Sequence, residues 1–326
     1  MSCLKPDQEK TWEASDLAFI VPTKDRPEEL RQLLHSVSCQ KVSPGRILVV
    51  DGATSGAGIV REFLDLLPVE YYRRLPPSLI GQRNFGLDRL DNSTPLVGFI
   101  DDDIRFEDTA LEEMIEFWNS APDDTAAVSF NIINVPRDRG NRLQRLLYLC
   151  ADEPGRVLKS GVTTTYHNYD RVLRTEWVCG GATIWKQEIL NRYPRNKDIR
   201  SRWAVCEDLI FSYPIGRRHP LYLCPRAKVT HGMNGNAVGQ KICFRYMGHN
   251  EVLWRLYFVR VNSELATGAW FLYAFGRTVQ NVWIGYREKN RGYIMKAVGN
   301  IEGCAKGVLS LLGRKSLEDL LDENGN

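Results

Sequence analysis

The sequence predicts an α/β fold in which a mostly parallel sheet is covered on both faces by helices. Three observations carry that prediction. Short apolar runs recur as candidate strands, apolar residues at helical spacing lie between them, and acidic or turn residues stand at the carboxyl ends of the runs. Strands buried on both faces read as continuous apolar runs, and their alternation with helices builds a parallel sheet. Ligands in such sheets gather where the carboxyl ends converge.

The elements follow in order. Leu17 to Val21 is the first strand, closed by Pro22. Asp25 stands three residues before Glu28 in a capping arrangement, and Pro27 suits a helix's first turn. Leu30, Leu33, Leu34 and Val37 then define one buried helix face. Arg46 to Val50 is a second strand ending at Asp51-Gly52, followed by a helix over 58–67 and a third strand over 69–73. A helix over 82–90 leads into the strand Leu96 to Ile100, which runs into Asp101, Asp102 and Asp103. Leu111, Met114, Ile115 and Trp118 restore the helical period. Beyond Ser129 the pattern loosens into strand-like stretches at 130–135 and 161–166 with a polar segment, 136–144, between them. The Cys179-Gly180-Gly181 loop precedes an apolar run and a helix at 187–192, and from Phe244 onward long helices resume.

Composition narrows the function classes. The chain has 326 residues, 43% hydrophobic and 25% charged, with a net charge of +3, too small to suggest nucleic-acid binding. The polar start lacks a signal peptide's apolar core, and no run of about eighteen apolar residues occurs, so a cytoplasmic location is expected. Eight cysteines without a Cys-x-x-Cys pair read as reduced packing residues.

Three adjacent carboxylates repel one another, so the aspartate triad asks for a compensating cation. Hard oxygen ligands suit Mg²⁺ or Mn²⁺, with a substrate's phosphates completing the shell. A solvated acidic turn is the plainer alternative. Alternation along an extended segment puts Asp101 and Asp103 on one side and Asp102 on the other. Asp51 at a strand end could accept a pyrimidine imide N–H or simply make an Asp-Gly turn. Arg83 offers a guanidinium fork for phosphate oxygens, with the Asn84 amide beside it, or else a solvated helix surface. Glu207 and Asp208 open a helix, where its dipole alone would stabilise them.

Taken in order, Pro22-Thr23-Lys24-Asp25-Arg26, Val49 to Gly52, Gly81 to Gly86, Phe99 to Asp103, Cys179-Gly180-Gly181, Glu207-Asp208 and His231 resemble the inverting nucleotide-sugar glycosyltransferases of the large family 2, which includes bacterial polysaccharide and rhamnosyl transferases. The resemblance covers roughly 17 to 235. It implies a GT-A fold, a Rossmann-like sheet flanked by helices, and a donor of the UDP or dTDP type. It assigns Pro22, Thr23, Arg26, Asp51, Arg83, Asn84, Asp101 and Asp102 to the donor nucleotide, and Asp103 and His231 to the Mg²⁺ or Mn²⁺ ion. Asp208 is implied as the general base that deprotonates the acceptor hydroxyl, with Glu207 positioning it or exchanging roles, and Cys179, Gly180 and Gly181 form the loop beside sugar and acceptor. Trp185-Lys186-Gln187 departs from the commoner pattern after that loop, which leaves the acceptor open.

The expected organisation is an N-terminal tail (1–16), a GT-A catalytic domain (17–243), a helical C-terminal extension (244–315) and a tail (316–326). Aromatic and basic residues interleave in the extension, a pattern that fits peripheral contact with the inner face of a membrane or packing in a homodimer. The expected reaction is sugar transfer with inversion to a glycan or lipid-linked acceptor in cell-surface polysaccharide or glycolipid synthesis. An aspartate-based phosphatase and a non-catalytic sugar-binding or scaffold protein are the rivals. Ile104-Arg105 after the triad argues against the first, and the combination of triad and Asp208 against the second.

Overall fold

In the computed structural model the apolar runs pair as strands; it describes residues 11–91, 93–137, 140–194, 205–232 and 243–322. β1 (Leu17–Thr23), β2 (Arg46–Asp51), β3 (Val69–Arg73) and β4 (Leu96–Ile100) form a parallel set in the order β3-β2-β1-β4. Each carries its carboxyl end to the same edge. Five further strands extend the sheet: β5 (Ile104–Phe106), β6 (Ala127–Ile132), β7 (Leu173–Thr175), β8 (Ala182–Lys186) and β9 (Leu221–His231). β8 lies antiparallel between β4 and β6, and β9 runs parallel to β6. The sheet is therefore mixed in its second half. β5 pairs antiparallel with the end of β9, setting Ile104 opposite His231. This pairing brings His231 back to the aspartate triad across more than a hundred residues.

α1 (Pro27–Ser38) buries Leu30, Leu33, Leu34 and Val37, the face its periodicity predicts. Its N-cap is Arg26, without a side-chain cap bond, and Asp25 sits in the left-handed region at φ 55°. The expected Asp25 cap is thus replaced by a turn that frees the Arg26 side chain for the triad. α2 (Gly56–Glu62) and α3 (Leu79–Leu87) begin earlier than periodicity suggested, and α4 (Ala110–Ser120) buries Leu111, Met114 and Trp118. The strand expected at 130–135 lies at 127–132. The stretch 161–166 is no strand: its only ladder contact is an isolated bridge between Val157 and Thr163. Its alternating burial reflects side-on docking, with the Tyr166 hydroxyl donating to Ser129 Oγ at 3.2 Å.

Short helices α5 (Arg142–Leu146) and α6 (Gln187–Arg192) precede α7 (Glu207–Gly216), and the C-terminal region comprises α8 (Phe244–Val261), α9 (Thr267–Arg287), α10 (Arg291–Leu311) and α11 (Leu317–Asp322). Leu253, Leu256 and Phe258 of α8 pack with Leu209 and Tyr213 of α7 in a core of their own. The extension is therefore joined to the sheet half by shared apolar burial. α8 and α10 cross at glycines: a Cβ on Gly299 would lie 1.9 Å from the Arg245 carbonyl oxygen, and one on Gly248 2.0 Å from that of Lys296. Both expected tails are partly anchored. Trp12 packs edge-on against Trp118 at 6.5 Å, and Leu320 and Leu321 are buried because α11 docks on α8. The remainders, 1–10 and 323–326, lie outside the described residues. No helix among the described residues is long and apolar enough to cross a membrane.

Candidate active site

The triad turns at the end of β4, and its carboxylates meet four partners, with Arg26 shared by Asp102 and Asp103. Asp102 is buried, accepting from Thr23 Oγ1 at 2.7 Å while Arg26 Nη1 approaches its other oxygen at 2.7 Å. Burial nevertheless pushes its pKa up to about 7 against the pull of Arg26 and Thr23. Asp103 accepts from Arg26 Nη2 at 2.8 Å and faces His231 Nε2 at 3.1 Å. Burial alone would raise its pKa, but His231 and Arg26 overcome this and bring it down to about 2. The same contact with Asp103 raises the His231 pKa despite burial. Asn134 clips His231 in place, accepting from its N–H at 3.0 Å and donating to its carbonyl at 2.7 Å.

Asp101 and Asp103 point to one side, as the alternation implied. Ligand atoms of Asp101, Asp103 and His231 lie within 4.8 Å of one another. Asp103 Oδ1 is buried without a hydrogen-bond partner, its approach to His231 being a charge contact. Two carboxylates and an imidazole around such an oxygen suit a divalent ion that prefers oxygen and nitrogen donors.

Arg83 connects this group to the acid pair. From α3, its Nη2 donates to Asp101 Oδ1 at 2.9 Å and its Nη1 to Glu207 Oε1 at 2.8 Å. Burial opposes the charge, yet Asp101, Glu207 and Asp208 raise its pKa beyond the ordinary arginine value. Glu207 is pushed up to about 7 by burial, with Arg83 pulling the other way. Asp208 accepts from the Gly180 N–H at 3.0 Å and forms no ion pair among the described residues. The Gly180-Gly181 sequence has a steric cause. A Cβ on Gly181 would stand 2.0 Å from Asp101 Oδ2, and one on Gly180 2.6 Å from Arg83 Nη1.

A cleft of about 60 Å³ opens beside the acid pair. Arg83, Asn84, Cys179, Gly180, Glu207 and Asp208 line its polar side, and Phe99, Trp185 and Phe211 its apolar wall. Burial raises the Cys179 thiol pKa, and its Sγ rests near Ser129 and Thr183, surroundings of a packing residue.

Three of the residues expected at the donor nucleotide, Asp51, Arg26 and Pro22, have partners or packing within the fold. Asp51 is fully buried: Oδ1 accepts from the Ala53 N–H at 2.7 Å, and Oδ2 from the Gly56 N–H at 2.8 Å and the Tyr71 hydroxyl at 3.0 Å. Its carboxylate organises the loop into α2. Burial, with Asp51 next, lifts the Tyr71 pKa to about 12. Arg26 grips Asp102 and Asp103, so its guanidinium is engaged inside the site. Pro22 is buried in β1 and contributes no polar group. Sequence reasoning missed Gln82, which donates to the Thr23 and Val50 carbonyls at 2.9 and 2.7 Å and ties the ends of β1 and β2 together. Its place inside the Gly81–Gly86 motif was the available signal. Asn134 and Tyr71 had none.

The sequence profile of "Glycosyl transferase family 2" matches residues 18–181. Among solved structures, the chain is similar to the mannosyltransferase PcManGT from Pyrobaculum calidifontis in complex with GDP-Man and Mn²⁺. The TM-score is 0.51 at 13% identity, over 90% of this chain and 88% of that one. Residues 1–349 of S. aureus TarS align with a TM-score of 0.49 at 13% identity, over 89% and 91% of the two chains. GalNAc-T7 with UDP, GalNAc and Mn²⁺ aligns at 0.47 and 18%, over 66% and 43%. At these identities the likeness concerns the fold alone. No curated protein sequence matches the chain.

Proposed function

Because the chain belongs to glycosyltransferase family 2, we propose that it transfers a sugar from a nucleoside-diphosphate donor of the UDP or dTDP type to a hydroxyl acceptor, with inversion and with the help of Mg²⁺ or Mn²⁺. The observation that carries this reading is Arg83, whose guanidinium spans from Asp101, beside the metal-suited group, to Glu207, beside the acid pair. One cation thus links the place for a diphosphate to the place for an attacking hydroxyl.

Asp103, His231 and Asp101 would hold the metal ion. When bound, such an ion supplies positive charge to a leaving diphosphate. Asp208 is the general base of this reading: it lies in the cleft without an ion-pair partner among the described residues, oriented by the Gly180 N–H. A base there takes the acceptor's proton as the hydroxyl attacks from the face opposite the diphosphate, and one displacement inverts the anomeric centre. Glu207, tied to Arg83, positions the guanidinium. We assign this chemistry to residues 17–243. The product would be a cell-surface polysaccharide or glycolipid made on the cytoplasmic side, with 244–315 in peripheral contact with the membrane's inner face or in a homodimer.

The test is thermal stabilisation by nucleoside diphosphates with and without Mn²⁺ or Mg²⁺, because a ligand of the folded state raises its stability by mass action. A pyrimidine nucleoside diphosphate is expected to stabilise the wild type only with the ion, and Asp103→Ala to abolish that effect. Unchanged metal-dependent stabilisation in a folded Asp103→Ala variant overturns the reading.

A further inference from the structure

A second cavity, of about 180 Å³, lies between α8, α10 and the residues leading into α7. That is well above the about 10–15 Å³ that one water needs. Val205, Asn250, Glu251, Arg255 and Lys296 are among its lining residues. Glu251 accepts from Arg277 Nε at 2.6 Å and faces Lys296 Nζ at 2.9 Å. Arg255 forms no ion pair among the described residues. One of its Nη1 protons goes to the Gly161 carbonyl, its guanidinium lies 5.8 Å from the Tyr273 ring, and its Nε has no hydrogen-bond partner. Glu251 therefore answers two cations, and Arg255 adds a third positive charge to the cavity wall without an ion pair. Asn250 is 2% exposed, and apart from a marginal contact with the His249 ring its Nδ2 makes no hydrogen bond.

An excess of positive charge together with unpaired N–H donors excludes a cation and disfavours an apolar occupant, because buried donors are costly when left unpaired. A guanidinium, an ammonium and an amide are the donors that oxyanions take. The cavity also adjoins the proposed base. Val205 lines it and lies three residues before Asp208, a span of at most about 11 Å. Between them, Cys206 is within electrostatic reach of Arg255 and Glu251 as well as of Asp208.

We propose that this cavity is an anion subsite for the acceptor, taking a phosphate or similar oxyanion carried by the molecule whose hydroxyl reaches Asp208. This rests on the glycosyltransferase reading and narrows its acceptor to an anionic class. The anion could belong to a soluble phosphate ester or to a phospholipid headgroup.

The experiment measures thermal stabilisation by inorganic phosphate at constant ionic strength, with a saturating nucleoside diphosphate and Mg²⁺ keeping phosphate out of the donor site. Saturable stabilisation of the wild type is expected. Lys296→Met should raise the half-saturation concentration about tenfold or more, the scale of one charged hydrogen bond. Arg255→Gln should do the same if it folds; Lys296→Met, at the cavity's edge, keeps the test decisive if it does not. Parallel titrations with glycerol phosphate and with phosphatidylglycerol vesicles separate the two sources of the anion. No saturable effect of phosphate or either phosphate carrier, or an effect that Lys296→Met leaves unchanged, overturns the subsite. Metal-dependent stabilisation by the nucleoside diphosphate is followed in the wild type alongside. Donor stabilisation without an anion effect sinks the subsite alone, whereas an anion effect without metal-dependent donor stabilisation sinks the glycosyltransferase reading.

Discussion

Asp208 and Glu207 are neighbours with different partners, and the proposed division of their roles rests on that difference. Glu207 pairs with Arg83, while Asp208 lines the cleft and accepts from the Gly180 N–H. Asp208→Asn removes basicity but little volume, so donor affinity should persist while transfer falls by about two to four orders of magnitude. Near-normal turnover would move the base to Glu207. Glu207 makes a separate prediction about pH. Its folded pKa, about 7, is raised above 4.5 by burial, so folding favours its protonated form. That contribution is full below 4.5 and is lost as the pH rises through about 7. Glu207→Gln mimics the protonated acid. Its melting temperature should therefore gain on the wild type's across this window and level off above it; a difference independent of pH would contradict the burial of this charge. Gly181→Ala tests the other half of the site, since its Cβ would meet Asp101 Oδ2 at 2.0 Å. Displacing Asp101 should weaken metal-dependent nucleotide binding in a protein that still folds, as titration calorimetry would report.

At the level of elements, the close crossing of α8 and α10 sets the geometry of the whole extension. Gly299→Ala would put a methyl group against backbone, where no rotamer change relieves it, and should destabilise the protein by about 1–3 kcal/mol in denaturant unfolding. A buried chain of amides supports the same crossing: Asn281 Nδ2 donates to Asn300 Oδ1 at 2.7 Å, and Asn300 Nδ2 to the Gly248 carbonyl at 3.0 Å. Such features explain what could be read in advance and what could not. The strand ending at Ile100 was legible to the residue, because a wholly buried strand leaves an unbroken apolar run. So was the buried face of α1. β5, β7 and β9 were not: the first two are three residues long, and β9 mixes polar and apolar positions around an irregular pairing at Phe130 and Asn131. The site divides in the same way. Asp101, Asp103, His231, Arg83, Glu207 and Asp208 carried motif signals and converge in space. Asp51 carried one too, yet only the fold shows that Tyr71 and two backbone N–H groups already occupy its carboxylate.

Across the whole molecule, the charged cluster of the candidate site and the outer face of the extension have opposite characters. On α9, Phe271, Leu272, Phe275, Val279, Val282, Trp283 and Tyr286 recur along one helical face and are exposed, Tyr286 by 85%. α10 adds exposed Ile294, Val298 and Ile301. At the junction of the two helices stand Arg287, Lys289 and Arg291, all exposed, with the Arg287 guanidinium 5.0 Å from the Trp283 ring. Amphipathic helices that carry aromatics on one face and cations at its border seat in the headgroup region of anionic membranes. Placed there, the extension would bring the acid pair to acceptors held at that surface. The purified protein should therefore sediment with anionic liposomes more than with neutral ones, and added salt should weaken the effect, because surface charges are screened over about 10 Å at 0.1 M. Replacing Arg287, Lys289 and Arg291 with Gln should reduce sedimentation, and Trp283→Ser with Tyr286→Ser should reduce it in a way that salt does not mimic. If the wild type ignores anionic liposomes at low salt, the exposed face belongs instead to contact with a second copy of the chain. The same serine substitutions would then shift its sedimentation-equilibrium mass toward that of the monomer.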